Sequence, residues 1–469
     1  MKVRKTYIAA AAAFAAAFCF FLTAYPCHLI RREQMTLFLY DWSSIFRTYW
    51  RPGGPAHLAG DFLTQFFHYP AAGPAIVALL LTAIGAVSFR ICRRFLGEWP
   101  SLATAAALYL WSGLRECGSW FETGYTVAVP GYLLLALAAL QFKGPARKAA
   151  ASVVLAAAGV LLLGSPVSRS GGAVWNFPDF KEEKVIALDV EASLGHWKKV
   201  RELAGKEDLR VSEATFYYNL ANALEGKMAE RLMNHSQNYA EGLFRPVNSE
   251  VSEFTVTASG EVWFRLGDMT LAEQSAIVGM TFSPRHSGPR YLVRLAQINR
   301  ITGDDGAAMK YLTMLSRTLT YRRWALKMMP GSGDEGVERW LAHARRDLAE
   351  NDFVHGNSDP RPVLRNLLAA NPANGMAREY LLCTDLIVFD LESFMRDYIP
   401  VADPPAIYQE AILIWMAQHG RFGTAEARAL GVSGRTISAF EEFGNNPAAA
   451  PRSYWHYYQT EMLKGGEKE

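Results

Sequence analysis

Cysteine is scarce in this chain: five residues among 469 are too few, and too far apart, for a disulfide framework. Motifs that name a reaction are scarcer still. In residues 169–469 no metal-ligand spacing, phosphate loop, nucleophile elbow or paired-carboxylate pattern rises above chance. Alternating strand patterns are also few. Only Phe254 to Val256 and Glu261 to Phe264, on either side of Ser259-Gly260, suit a hairpin, and a helix starting near Ser259 accounts for them as well. Apolar mass, by contrast, is abundant. Half the residues are hydrophobic and 12% aromatic, with 12 Trp, which excludes a disordered chain. Charge is unevenly spread: residues 1–168 carry 14 Lys and Arg against 6 Asp and Glu, while the remaining 301 carry 34 against 39. One uniform soluble domain is thereby excluded. The basic excess belongs to the apolar part, which argues against a nucleic-acid partner.

Crossing about 30 Å of hydrocarbon takes about 20 helical residues. Thr6 to Cys27, Tyr69 to Phe89, Thr123 to Phe142 and Ala149 to Ser168 contain no Asp, Glu, Lys or Arg. Pro100 to Leu114 is a shorter run, extended past Arg115 and Glu116 toward Trp120 if the arginine snorkels. Counting it as a span puts Lys2, Arg4 and Lys5, then Arg90, Arg93 and Arg94, then Lys143, Arg147 and Lys148 on one side, as basic loops prefer the cytoplasm. The expectation is therefore a five-helix anchor, residues 1–168, in a bacterial cytoplasmic membrane, with a cytoplasmic N-terminus and residues 169–469 in the periplasm. Leu22 to Cys27 lacks the small residues of a cleavage site, so the first span reads as an uncleaved anchor. Cys27 and Cys117 would share the outer surface, where they either pair or act as two unrelated small residues.

The outer loop 28–68 is the most individual segment. Phe38, Tyr40, Trp42, Phe46, Tyr49 and Trp50 suit the bilayer interface, and Arg51 to Pro55 breaks one helix and opens another. On that second helix His57, Asp61 and His68 stand at i, i+4 and i+11, on one face. They are the candidate metal ligands, and Asp41 and Asp61 the candidate general bases, with Asp41 or Glu122 able to complete the group. A membrane glycosyltransferase acting on lipid-linked sugars would need such a carboxylate. The default reading is plainer: a solvated polar face with an incomplete metal shell. No cofactor is expected.

After a flexible stretch from Arg169 to Ala173, apolar residues recur with helical period, as in Ala308, Leu312, Leu315 and Leu319, or Tyr408, Ala411, Ile412, Trp415 and Met416. Glycine joints recur between these helices. Gly267/Ala272, Gly303/Ala308 and Gly420/Ala425 pair a glycine with a small residue five positions on, and Gly195 and Gly226 mark similar joints. Glycine permits the left-handed turn that ends one helix, and the small residue lets the next lie close. Spacings near 34 residues suggest an irregular, tetratricopeptide-like solenoid of helical pairs, a fold that binds proteins on its free face. Asn219, Asn222, Asn234 and Asn238 form a candidate clamp for a peptide backbone, the alternative being helix-surface amides.

The stretches Glu33 to Phe38, Arg51 to Gly54, Phe62 to Tyr69, Leu295 to Asn299 with Gly303, Tyr321 to Ala325, and Tyr380 to Leu382 carry a resemblance. The chain resembles an uncharacterised family of bacterial polytopic membrane proteins, classified only as a domain of unknown function. That resemblance implies an envelope protein with a helical-repeat tail and supplies no catalytic residues. The combined expectation is an all-α chain acting as a membrane-anchored scaffold that touches lipids and an unidentified protein partner. The alternative is an envelope glycan or lipid-linked-sugar enzyme using loop 28–68.

Overall fold

The computed structural model describes residues 2–119, 121–142, 144–163, 176–206, 212–235, 237, 239–245, 251–349, 359–421, 423–446 and 450–466. Among these residues every regular element is helical, so the chain is all-α. The expected boundary at 168/169, the stretch Arg169 to Ala173 and Asn238 lie outside the described residues. The chain forms two compact units that interleave in sequence. One comprises Met1–Val190, Met280–Arg300 and Asp304–Asp334; the other comprises Glu191–Gly279, Ile301–Gly303 and Glu335–Glu469.

The first unit opens with α1 (Lys2–Cys19), which widens into a π turn at Phe20–Ala24. Then come α2 (Cys27–Met35), α3 (Trp42–Tyr49), α4 (Gly54–Thr64) and a 3-10 turn at Gln65–His68. The long helices follow: α5 (Ala72–Cys92), α6 (Glu98–Glu116), α7 (Thr123–Ala139) and α8 (Pro145–Leu163), and then α9 (Phe180–Ser193). On α5 Val77, Ala78, Leu81 and Ile84 recur at helical spacing, and they bury themselves against Ala17 and Phe21 of the first helix and Leu29 of α2. Leu79, Leu110, Leu134 and Val153 point outward from the same helices and are more than half exposed.

Among the described residues two helices are long and apolar enough to cross a membrane by length and composition, Tyr7–Ala24 and Ala72–Cys92, where five were expected. The difference lies in where helices start and stop. Helix α7 ends at Ala139, so the run to Phe142 yields 17 helical residues, about 25 Å at 1.5 Å per residue. Glu98, Arg115 and Glu116 flank the short apolar run within α6. Helix α8 takes in Arg147 and Lys148 at its start, and the run to Ser168 passes out of the described residues.

The helix ends of this unit sort into two groups. At one end the Arg94 guanidinium donates to the Leu140 carbonyl (3.4 Å), joining the C-termini of α5 and α7. At the other, Tyr25 donates to the Cys117 carbonyl (3.1 Å), and Gly73, at the start of α5, lies against Phe67 and Leu29. The basic residues Arg90, Arg93 and Arg94, and Arg147 and Lys148 at the start of α8, thus fall at the end opposite loop 28–68.

The second unit contains α10 (Trp197–Ala204), α11 (Ser212–Ala223), α12 (Met228–Arg231) and α13 (Glu253–Leu266), and most of α14 (Met269–Phe282). Helix α15 (Pro289–Thr302) ends in it, whereas α16 (Asp305–Ser316) and α17 (Arg322–Met328) belong to the first unit. It resumes with α18 (Glu335–Ala344), α19 (Arg361–Ala370), α20 (Gly375–Ile387), α21 (Leu391–Asp397), α22 (Ala406–Gln418), α23 (Thr424–Ala429), α24 (Gly434–Asn445) and α25 (Tyr454–Gly466). The hairpin alternative disappears: Phe254 to Phe264 lies in one helix, begun by Ser252, whose side chain accepts from the Thr255 amide (3.2 Å).

All five joint glycines have positive φ, from 63° at Gly420 to 102° at Gly267. Ala272 and Ala308 are fully buried behind their joints. At Gly420 the buried residue is Ala427 and Ala425 is exposed, because α23 starts only at Thr424. Sequence-distant helices also meet within this unit. The Ala229 amide donates to Glu379 across 150 residues (2.9 Å), and the Asn374 amide group donates to the Leu266 carbonyl (2.9 Å). A strict solenoid has contacts only between neighbours, so these closures go beyond that pattern.

Candidate functional site

Six acidic residues occur in 1–168, and Glu33, Asp61, Glu116 and Glu122 converge at the loop end of the first unit. A close helix crossing assembles part of this cluster. A Cβ on Gly60 would sit 2.2 Å from the Gly124 nitrogen, and one on Gly124 would lie 2.8 Å from the His57 Cα. Helices α4 and α7 therefore touch backbone to backbone, and His57 Nδ1 comes within 3.0 Å of Glu122. Burial opposes the charge on Glu122, but His57, Arg285 and Arg51 outweigh it and hold the carboxyl below its ordinary value.

Asp61, one helical turn beyond His57, is buried and accepts from the Tyr49 hydroxyl (2.7 Å) and from Arg285 Nη2 (2.6 Å). Burial pushes this carboxyl up; Arg285 and Tyr49 pull it the other way. Arg285 also lies over the Tyr49 ring, 5.7 Å from its centroid. Its backbone is left-handed, at φ 57°, a conformation costing about 1–2 kcal/mol for a side-chain-bearing residue.

Glu33 accepts from the Tyr321 hydroxyl (3.0 Å) and lies 3.9 Å from His68 Nδ1. Burial raises the Glu33 carboxyl, and the bond to Glu33 raises His68. Arg32 donates to the buried Glu116 carboxylate, to the Glu116 carbonyl (2.9 Å) and to the Thr123 hydroxyl (3.3 Å). Above it the α2 N-terminus receives Glu183, which accepts from the Cys27 and His28 amides (2.6 and 3.2 Å). Burial pushes Glu183 up to about 7, and burial next to Arg32 pushes His28 down to about 3. The space among Arg31, Arg32, Asp61, Thr64, Glu122 and Thr123 is about 30 Å³. It holds one or two water molecules, not a sugar.

His57 and Asp61 are thus buried and bonded, which corrects the expectation of a solvated face. His68 lies beyond the end of α4, in the 3-10 turn, so the i+11 relation breaks. The three candidate metal ligands face three different partners, Glu122, Arg285 with Tyr49, and Glu33. Among the described residues no group of three or more His, Cys, Asp or Glu is placed to hold a metal ion. Asp41 caps α3, accepting from Ser43 (2.6 Å) and from the hydroxyl and amide of Ser44 (2.8 and 3.1 Å), bonds that hold its carboxyl down to about 2. Cys27 and Cys117 are not joined by a disulfide.

In the second unit the buried Asn219 donates to Gln237 (3.0 Å) and to the Gly242 carbonyl (2.9 Å). Asn222, also buried, accepts from Arg231 (2.8 Å), whereas Asn234 is exposed. Sequence reasoning missed Arg32, Glu116, Glu183, Arg285 and Tyr321. The rarity of acids in 1–168 was a usable signal for Glu116; nothing local marks Arg285 or Tyr321.

The fold and this cluster define an all-helical protein with, among the described residues, two helices long and apolar enough to cross a membrane and a buried ionic network at one end of its first unit. Residues 2–169 and 165–461 match a family of unknown function, DUF6057, and the chain belongs to that family. No curated protein and no solved structure matches it.

Proposed function

We propose that the protein is a membrane-anchored, non-enzymatic scaffold. Its residues 1–168 would anchor it in a bacterial cytoplasmic membrane with the N-terminus inside, and the helices of residues 169–469 would bind a protein partner on the periplasmic side. The observation that supports this reading is the set of positive-φ glycines at residues 195, 226, 267, 303 and 420, each standing between the end of one helix and the start of the next, as helical-pair folds require. Five crossings fit the placement of Arg90 to Arg94 and of Arg147 and Lys148 away from loop 28–68, the short helices being accommodated by local thinning of the bilayer and by snorkelling flanking residues. On α3 the exposed Trp42, Phe46 and Trp50, one turn apart, suit the headgroup layer.

Committing Asp41 to a cap and Asp61 to an ion pair favours the scaffold over a glycan enzyme. The discriminating experiment uses the full chain in its own membrane. A photo-crosslinking amino acid is placed at the exposed Val401, and Asp61→Asn is compared with Ile399→Asp, a substitution at the neighbouring exposed residue. The scaffold reading expects a discrete protein adduct that Ile399→Asp removes and Asp61→Asn keeps. No adduct at any exposed helical position, with the Asp61→Asn strain losing an envelope glycan, would overturn it. Alkaline phosphatase fused after Glu469 is expected to be active and green fluorescent protein dark there; the reverse pattern defeats the orientation.

A further inference from the structure

Helices α1, α5 and α6 do not close on one another along their whole length. Between them lies a groove of about 370 Å³, lined mainly by small side chains such as Ala9, Ala13, Gly85, Ala86 and Ala106, with the Tyr109 ring at one end. The groove is kept open where larger residues would fill it. A Cβ on Gly85 would be 3.7 Å from the Tyr109 Cβ, at ordinary contact distance. Tyr109 gives its hydroxyl proton to the Ala13 carbonyl (2.7 Å), which pins α6 to α1 beside the opening. From Thr82 to Phe89 the α5 wall runs seven residues, or about 10 Å at the helical rise, the length of several acyl methylenes in extended form.

The far end of the groove is charged. Phe89 lines it, and the exposed Arg93 guanidinium sits over the Phe89 ring, 5.7 Å from its centroid. Glu98, also exposed, lines the same mouth. An apolar slot with Glu98 in its lining and Arg93 held beside it over Phe89 complements a molecule with an apolar tail, a phosphate and a cationic tip.

We propose that this groove is a phospholipid site. One acyl chain occupies the slot, Arg93 takes the phosphate, and Glu98 favours an ammonium-bearing headgroup of the ethanolamine type over a net-anionic glycerol headgroup. The site rests on the membrane anchoring argued above and not on partner binding. The test uses the full-length protein purified in detergent, with bound lipid measured by mass spectrometry, then stripped and reloaded from mixed micelles of phosphatidylethanolamine or phosphatidylglycerol. Wild type is expected to retain phosphatidylethanolamine. Gly85→Leu and Ala106→Leu, which fill the slot, should each lower retention about tenfold, and Leu134→Met, an exposed residue elsewhere on the bundle, should leave it unchanged. Glu98→Gln should move the preference toward phosphatidylglycerol, and Arg93→Gln should weaken both.

Equal retention in the slot-filling variants, with unaltered helicity and melting, refutes the site. Halving of the particle mass on Gly85→Leu would instead assign the groove to a second copy of this chain and also refute it. Recovery of the chain in the soluble fraction without detergent would refute the anchoring itself, a result separable from loss of lipid in a chain that still sediments with membranes.

Discussion

Replacing Arg285 by glutamine tests whether the Asp61 cluster is a structural lock. The Asp61 side chain is 3% exposed, and its two bonds come from Arg285 and Tyr49. Removing one member of a buried ion pair costs about 3–5 kcal/mol, because the remaining charge stays uncompensated. Two features lower that figure here: Arg285 is 25% exposed, and Asp61 borders a space that admits water. The expected loss for Arg285→Gln is therefore about 2–3 kcal/mol. Asp61→Asn should cost less, about 1–2 kcal/mol, since an amide oxygen still accepts from Tyr49. Because the two side chains share one bond, the double variant should fall short of the sum by about 1–2 kcal/mol. Denaturant unfolding of the detergent-solubilised chain, followed by tryptophan fluorescence, measures all three. A loss below about 0.5 kcal/mol for Arg285→Gln, or strict additivity, would refute the lock and return Asp61 to the list of groups available for chemistry.

The His28–Glu183 pair predicts a compensated pH response. Glu183 keeps its proton to about 7 when folded and to 4.5 otherwise, so its contribution is full below 4.5 and lost as pH rises to 7. His28 titrates near 3 when folded against 6.5 otherwise, so its contribution is full above 6.5 and lost as pH falls to 3. Between 4.5 and 6.5 the slopes oppose. Relative to wild type, Glu183→Gln should gain a stability that rises with pH, and His28→Asn one that falls, each by about 2–3 kcal/mol across the window; parallel curves for all three proteins would contradict the assignment. Gly60→Ala should force α4 from α7 and cost about 1–3 kcal/mol in the same unfolding assay. Ala at Gly226, where nothing lies within 4 Å of the added Cβ, should cost only the left-handed backbone strain of about 1–2 kcal/mol. Asp41→Ala should lower the melting temperature while Asp41→Asn, which still caps α3, does not; equal melting of the two would rule out the cap as Asp41's role.

Local features of this chain were readable in advance and distant ones were not. The joint glycines follow from a steric rule within a few residues of chain, and all five adopt the backbone expected of them. Spacing put His57 and Asp61 on one helix face, which holds, but spacing cannot say what that face meets. The answer came from Arg285 and Tyr49, the former 224 residues away. Similarly, the apolar runs marked the long helices, α7 starting at Thr123 as its run does, but apolarity alone does not reveal that the helix stops at Ala139, before the run ends at Phe142. Asn219 and Asn222 read as a peptide clamp or as surface amides, because helix periodicity does not reveal the Gln237 and Arg231 side chains that meet them.

The wide sequence separation of those partners has a consequence for synthesis. Asp61 and Glu33 leave the ribosome long before Arg285 and Tyr321, by 224 and 288 residues. At 5–20 residues per second, Asp61 waits about 10–45 s for its counter-ion. During that interval the emerging chain carries two acids with no completed shelter. Truncated chains ending before residue 285 should accordingly be degraded faster than chains extended past 321, making residues 280–334 the stretch whose arrival licenses maturation.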